Sequence, residues 1–304
     1  YNLIGITDNG LTAGLGNQVI GNGLLSDAIV NDTWENLTSA ALDVVYTFVP
    51  IGNNGCAGDE FTVTVRVESE PVVADQSLTV CSEETSGIDF NSSSTVSAAT
   101  YNITNLELNG LTVSAGNAAV SNGLTAADLA DDAFTNTTNG AIDVGYTVVP
   151  VTAGGCQGDA FTITVTVNPE PVVSDQTVGP VCSDQPLGAN FNSSSTVAAA
   201  TYNITNLELN GLTVSAGNAG GITNGLTAAD LADDAFTNIT NAPVNVVYTL
   251  VPLTAGGCEG QAFTVTVTID PEPVVDPQTT TVCSDELVGL TLADDVDGPS
   301  VATY

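Results

Sequence analysis

The chain has 304 residues, enough for two or three domains of about 100 to 150 residues each. One basic residue, Arg66, stands against 35 acidic ones, for a net charge of −34; this excludes nucleic acid as a partner and disfavours an anionic membrane surface, because both need Lys and Arg. Hydrophobic residues make up 43%, so the chain buries cores instead of behaving as a disordered acidic tail, and it holds no apolar run long enough for membrane insertion.

Self-similarity governs the organisation. Residues 99–117 (ATYNITNLELNGLTVSAGN) recur unchanged at 200–218, and 122–136 (NGLTAADLADDAFTN) recur at 224–238. A more diverged copy covers Tyr1–Asn17 and Asn22–Asn36. Tyr1, Tyr101 and Tyr202, like Cys81, Cys182 and Cys283, set a period near 101. That is too long for a solenoid turn and right for one small domain. Proline punctuation at Glu70-Pro71, Pro169-Glu170-Pro171 and Pro271-Glu272-Pro273 divides the chain into 1–70, 71–170, 171–272 and 273–304, and proline stiffens such linkers. The two middle pieces read as whole domains, the first as lacking its beginning and the last its end. Together with the absence of Met and of a basic leader, this predicts an excerpt of a longer tandem array.

The predicted elements follow in order along a repeat. Asn109-Gly110 stands between two alternating runs, a strong signal for a type I′ hairpin, and Asn9-Gly10 and Asn210-Gly211 repeat it. Thr125-Ala-Ala-Asp128 opens a short helical turn with Thr as its cap. Trp34, Phe134 and Phe236 share one repeat position and read as core aromatics. Ile142–Val148 and Phe161–Val167 alternate with period two, so each is a strand with one buried face, joined through Ala153-Gly154-Gly155. Many short strands with Gly and Pro turns predict an all-β fold: tandem immunoglobulin-like β-sandwich domains, one short helical turn per repeat, in an extended array.

Six cysteines without any His, at spacings unlike C-x₂-C, argue for disulfides in an extracellular, oxidising setting and against zinc. Two pairing schemes fit. One joins Cys81 to Cys156 and Cys182 to Cys258 inside single domains, leaving Cys56 and Cys283 to pair outside the excerpt. The other joins Cys56–Cys81, Cys156–Cys182 and Cys258–Cys283 across the linkers. If domains sit end to end, the last strand carries the chain roughly 25–30 Å away, whereas bridged Cα atoms lie within about 7 Å. Placing the first strand and the last hairpin loop at the same end of a sandwich favours the first scheme.

Catalysis is not expected: there is no His for general-base work and no Lys for Schiff-base chemistry. The adjacent carboxylates Asp131-Asp132, Asp233-Asp234 and Asp294-Asp295 recur with the repeat and read as solvated turns. No cofactor is expected. Calcium is the one metal to consider, with Asp128, Asp131 and Asp132, or Asp230, Asp233 and Asp234, as weak candidate ligands near the helical turn. The sequons at Asn102 and Asn203 are explained by the abundance of Asn and Thr.

The combination of V-C-S at 80–82, D-x-[WF]-x-N-x-[TS] at 132–138, V-x-Y-T-x-V-P at 144–150, G-G-C-x-G at 154–158 and a closing T-V-T-V before P-E-P resembles the PKD-like, immunoglobulin-type tandem repeats of giant Bacteroidetes cell-surface adhesins. The resemblance covers the whole chain, although 284–300 departs from the Asn-Ser-Ser-Ser pattern of the other copies. It implies export, a place in long adhesins including those of gliding motility, and a bridge between the V-C-S and G-G-C cysteines, in agreement with Cys81–Cys156 and Cys182–Cys258. The expected function is therefore a structural stalk segment of a long surface adhesin or extracellular filament, with surface polysaccharide or substratum as partner. The alternatives are a spacer or glycan-binding module of a secreted enzyme, and a sheath built by lateral self-association.

Overall fold

The computed structural model describes the whole chain except 91–95, 115, 118, 190, 192–196, 216, 219–220, 293–295, 298 and 301–304. Asp294 and Asp295 thus lie outside the described residues. The chain divides into two compact units, Tyr1–Thr135 with Ile142–Val167, and Asn136–Ala141 with Asn168–Tyr304.

The first repeat contributes β1 (Asn2–Thr7), β2 (Thr12–Ala13), β3 (Trp34–Glu35), β4 (Leu42–Val49) and β5 (Phe61–Val67). The second contributes β6 (Gln76–Cys81), β7 (Thr100–Glu107), β8 (Thr112–Val113), α1 (Ala126–Ala130), β9 (Phe134–Thr135), β10 (Ile142–Val151) and β11 (Phe161–Asn168). The third repeats that set as β12 (Gln176–Cys182), β13 (Thr201–Glu208), β14 (Thr213–Val214), α2 (Ala228–Ala232), β15 (Phe236–Thr237), β16 (Val244–Leu253) and β17 (Phe263–Asp270). A short pair, β18 (Val274–Val275) with β19 (Val296–Asp297), follows.

Each complete repeat is a β-sandwich, as the sequence predicts. In the third, the larger sheet has the order β12-β17-β16-β13, and β14-β15 with α2 forms the facing layer. The Val/Thr alternation along β17 buries every second side chain, Phe263, Val265, Val267 and Ile269, because successive strand residues point to opposite faces. These pack with Tyr202, Leu231, Phe236, Val246 and Tyr248 in one cluster. The second repeat has its own equivalent cluster around Tyr101, Leu129, Phe134, Tyr146 and Ile163. Phe134 and Phe236 are buried core aromatics, as expected, and Trp34 is half-buried.

Two local features shape the sandwich. Asn109 and Gly110 both take positive φ, 49° and 97°, with Leu111 N–H donating to the Leu108 carbonyl, so the tight turn forms where the sequence places it. It does not close a hairpin. β7 pairs with β10 and β8 with β9, so this turn hands the chain from one sheet to the other. The second feature is a bulge in β7 and β13. Ile103 faces Val148 and Asn105 faces Thr147; the extra residue, Thr104, donates its hydroxyl to the Thr147 carbonyl at 3.1 Å. Thr205 does the same to Thr249, also at 3.1 Å. The helical turns start as expected. Thr125 and Asp128, and Thr227 and Asp230, exchange hydrogen bonds in full capping boxes that place Leu129 and Leu231 in the cores.

Candidate force-bearing site

The third repeat shows how the ends of a domain are held. Its first strand, β12, runs parallel to its last strand, β17, from Gln176 beside Val265 to Cys182 beside Asp270. The chain therefore comes in at one end of the sandwich and leaves at the other. At the incoming end the Pro171 carbonyl packs so closely on Gly260 that a Cβ there would lie 1.9 Å from it. Gly158 meets the Pro71 carbonyl in the same way, at 1.8 Å. This is why the last position of G-G-C-x-G is glycine. One step on, the Thr264 N–H donates to Asp175 and the Thr162 N–H to Asp75, both at 2.6 Å. These backbone hydrogen bonds hold both carboxyls below the usual carboxylate range.

The outgoing end is locked by the D-x-[WF]-x-N-x-[TS] motif. Asn238 Nδ2 donates to the Ile269 carbonyl (2.8 Å) and the Ala242 carbonyl (3.1 Å), and its Oδ1 accepts from both the backbone N–H and the hydroxyl of Thr240. Asn238 N–H donates to Ser183 Oγ, and Ser183 N–H to the Asp270 carbonyl, both at 2.9 Å. One buried Asn thus ties the facing layer to the ends of β12 and β17. Beside it, Asp184 accepts from the hydroxyls of Ser215 and Thr237, which hold its carboxyl below the usual range.

The motif's Asp is a second lock. Tyr146 donates to Asp132 at 2.6 Å and Tyr248 to Asp234 at 2.7 Å, with all four side chains buried. In the first repeat Tyr46 donates to Asp32 and accepts from Trp34 Nε1, each at 2.7 Å. Burial, and then the carboxylate, push all three phenols upward, Tyr46 to about 12 and the other two further. Asp132 and Asp234 are therefore core groups, not the solvated turn residues that their adjacency to Asp131 and Asp233 predicts. The missed signal was the fixed separation of 14 residues from Asp to Tyr in every copy.

These engagements also scatter the candidate calcium ligands. Asp128 and Asp230 serve the capping boxes, Asp131 and Asp233 are C-caps, and Asp132 and Asp234 point at tyrosines. Among the described residues no cluster of three acidic or sulfur ligands is arranged to hold a metal. The sequon residues Asn102 and Asn203 have structural roles, accepting from the backbone N–H of Gly123 and Gly225.

The expected cysteine pairing needs correction. Within this chain Cys56, Cys156, Cys182 and Cys283 are not bridged to any cysteine, whereas Cys81 and Cys258 are disulfide-bonded. Neither Cys81–Cys156 nor Cys182–Cys258 is formed, and the register explains it. Cys182 sits beside Asp270, at the far end of β17 from the turn that carries Cys258. Phe263 to Asp270 alone spans roughly 23 Å, against the ~7 Å that a disulfide tolerates. Likewise β6 leads Cys81 away from Pro71, which packs on Gly158 next to Cys156. The first strand and the last hairpin loop begin at the same end, but the cysteine is at the wrong end of that strand.

A comparison with curated proteins gives no match. Among solved structures, the chain is similar to zebrafish RET cadherin-like domains 1 to 4 (11% identity, 88% of this chain and 66% of that one, TM-score 0.21). It is also similar to Drosophila N-cadherin EC1-4 (12% identity, 79% of this chain and 60% of that one, TM-score 0.21). A third is the bradyzoite specific antigen BSR4 from Toxoplasma gondii (12% identity, 67% of this chain and 92% of that one, TM-score 0.19). The chain thus spans less than two thirds of the two cadherin-type chains. Three stretches, 13–71, 78–171 and 179–273, match the PKD-like domain, and together they take in most of the sequence. The chain belongs to the PKD-like domain family and carries that domain three times in tandem.

Proposed function

We propose that the chain is a tension-carrying stalk segment of a long, repetitive, exported protein, a surface adhesin or extracellular filament used in adhesion or gliding. Its role is mechanical, with any ligand-binding tip located elsewhere in the protein. The observation that supports this reading is the parallel pairing of the first and last strands, β12 and β17. Pulling on the two ends of such a domain slides one strand along the other. The ladder hydrogen bonds lie across that direction, so all of them resist together instead of opening one at a time. The locks at both ends, Pro171 on Gly260 and Asn238 on Ile269, lie where the force is applied.

Single-molecule stretching of the chain tests this. Under reducing conditions, with no cross-link left to shorten the extension, the expected record has discrete peaks, each releasing roughly 30 nm for about 100 residues at ~3.4 Å apiece. Variants that remove a lock, Gly260→Val or Asn238→Ala, are expected to lower the peak of one repeat only. Smooth extension without peaks would refute the reading.

A further inference from the structure

Each complete repeat carries one cysteine at either end. The V-C-S cysteine marks the outgoing end: Cys182, the last residue of β12, stands beside Asp270, the last residue of β17, and Ser183 N–H donates to the Asp270 carbonyl at 2.9 Å. In the second repeat β6 lies along β11, and these strands end in the same way at Cys81 and Asn168. The G-G-C cysteine marks the incoming end. Gly158 and Gly260, two residues after Cys156 and Cys258, take the close approach of the Pro71 and Pro171 carbonyls. The turn that carries this cysteine is fixed, since Cys258 N–H donates to Thr254 Oγ1 at 3.0 Å and Thr254 N–H to the Cys258 carbonyl at 2.9 Å.

Glu68, Asn168 and Asp270 are equivalent, each three residues before the linker proline, Pro71, Pro171 or Pro273. Three residues span at most about 10 Å, and neighbouring strands are about 4.8 Å apart. The V-C-S cysteine of one repeat is thus carried close to the G-G-C turn of the following repeat by the covalent chain itself, whatever the angle between the repeats. Inside one repeat the same two motifs stand a whole strand apart, roughly 23 Å. The first two repeats show the approach directly: Cys156 lines one surface pocket with Glu68 and Ser69, the two residues after β5.

We propose that Cys81 and Cys258 are bonded to each other, and that in this array the V-C-S cysteine of a repeat is cross-linked to the G-G-C cysteine of the repeat after it. Of the six cysteines in this sequence, only Cys81 and Cys258 stand in that relation, and these are the two that are disulfide-bonded. The two thiols give up two protons and two electrons to a disulfide donor, a small-molecule or protein disulfide of the oxidising compartment. The donor leaves as two thiols after two successive thiolate exchanges. The bridge adds a second covalent path beside the proline linker. Residues 82–257 then lie inside a closed loop, so tension on the chain passes from Cys81 to Cys258 without extending them. This mechanical consequence rests on the tension-carrying reading; the pairing does not.

Peptide mapping of the monomeric 304-residue chain tests the pairing, with alkylation before digestion, without reductant, and with cleavage at Asp and Glu because the chain has one Arg and no Lys. The expected map holds one linked pair of peptides, containing Cys81 and Cys258, with the other four cysteines alkylated. Any other partner for either cysteine, or both of them alkylated, would overturn the proposal. Stretching gives a second readout. Without reductant the fully extended chain is expected to be about 60 nm shorter than the reduced one, for residues 82–257 at ~3.4 Å apiece. Cys258→Ser is expected to restore the full length without reductant, and Cys156→Ser to leave it short. Equal lengths of the unaltered chain with and without reductant would overturn the bridge whether or not force peaks appear. The linkage between successive repeats is tested by inserting a second copy of residues 171–272 after Glu272. Cys182 is then expected to become linked to the copy's counterpart of Cys258, and an alkylated Cys182 in that protein would refute it.

Discussion

The first and third repeats share a strand pattern but differ in what covers the last strand. β17 buries Phe263, Val265, Val267 and Ile269 beneath a sandwich closed by β12. β5 carries Phe61, Val63, Val65 and Val67 at the same positions and leaves Phe61 and Val65 at the surface. The alternation that marks a strand is therefore a property of the segment, whereas its burial depends on a first strand that is about 90 residues away in the sequence. The difference also shows at the locks: Tyr248–Asp234 is buried, while Tyr46–Asp32 is half-open and shared with Trp34.

The comparison can be broken most sharply at the core ring. Phe191→Ala removes a fully buried side chain that packs near Tyr202, and a loss of about 3–5 kcal/mol is expected for the third repeat. Phe61→Ala, at a half-open site, is expected to cost the first repeat far less. Hydrogen exchange followed repeat by repeat reads both, and equal losses would show that covering β17 adds little.

The glycine contrast comes next. Gly260→Ala puts a Cβ against the Pro171 carbonyl and forces the linker off, at about 1–3 kcal/mol. Gly58→Ala meets the Pro50 ring at 3.0 Å and the Pro50 carbonyl only at 3.8 Å, and a smaller loss than for Gly260→Ala is expected. Denaturant titration of the two variants checks this. The tyrosine locks follow. Tyr248→Phe takes a hydroxyl from buried Asp234, and a cost of about 1–3 kcal/mol is expected. Tyr46→Phe should cost less, since Asp32 is only partly buried.

The smallest effects are those of pH. Tyr46 is expected to ionise at about 12 in the folded chain, while Tyr146 and Tyr248, pushed higher, ionise only as their repeats unfold. Stability from these raised phenols is complete below the ordinary value of 10.0 and is lost as pH rises through the folded one. Absorbance titration of tyrosinate in the wild-type chain and in the single variants Tyr46→Phe, Tyr146→Phe and Tyr248→Phe assigns the earlier phenol and the two later ones among the seven tyrosines. At the acid end, Asp75 and Asp175 are lowered by the Thr162 and Thr264 N–H groups. Their contribution is present above the ordinary 3.8 and is lost as pH falls through the lower folded value. Acid should therefore loosen β6 and β12 while leaving β5 unchanged, which exchange at the flanking amides would show.

Much of the fold was legible because its signals are local. Val/Thr alternation fixes which face of β11 and β17 is apolar, Thr125 and Asp128 satisfy orphan N–H groups three residues apart, and Asn109-Gly110 accepts positive φ. The Asn-Gly turn was found and its use was not, because whether β8 returns to β7 or crosses to β9 depends on where Phe134 buries. The same limit hid Asp132 and Asn238. Short polar residues in a turn look solvated until a tyrosine 14 residues on, or the Ile269 carbonyl, is brought to them.

Sequence by itself determined that this chain is a tandem of β-domains, strongly acidic, with a repeat near 101 residues, since charge, period and alternation are all read within a short window. Only the tertiary structure decided that the first strand runs parallel to the last, and with it where the cysteines stand. Both arrangements keep the same residues on the buried face, so the pattern is blind to strand direction. The choice is made by long-range contacts, Pro171 on Gly260 at one end and Ser183 on Asp270 at the other, and it sets V-C-S and G-G-C a whole strand apart.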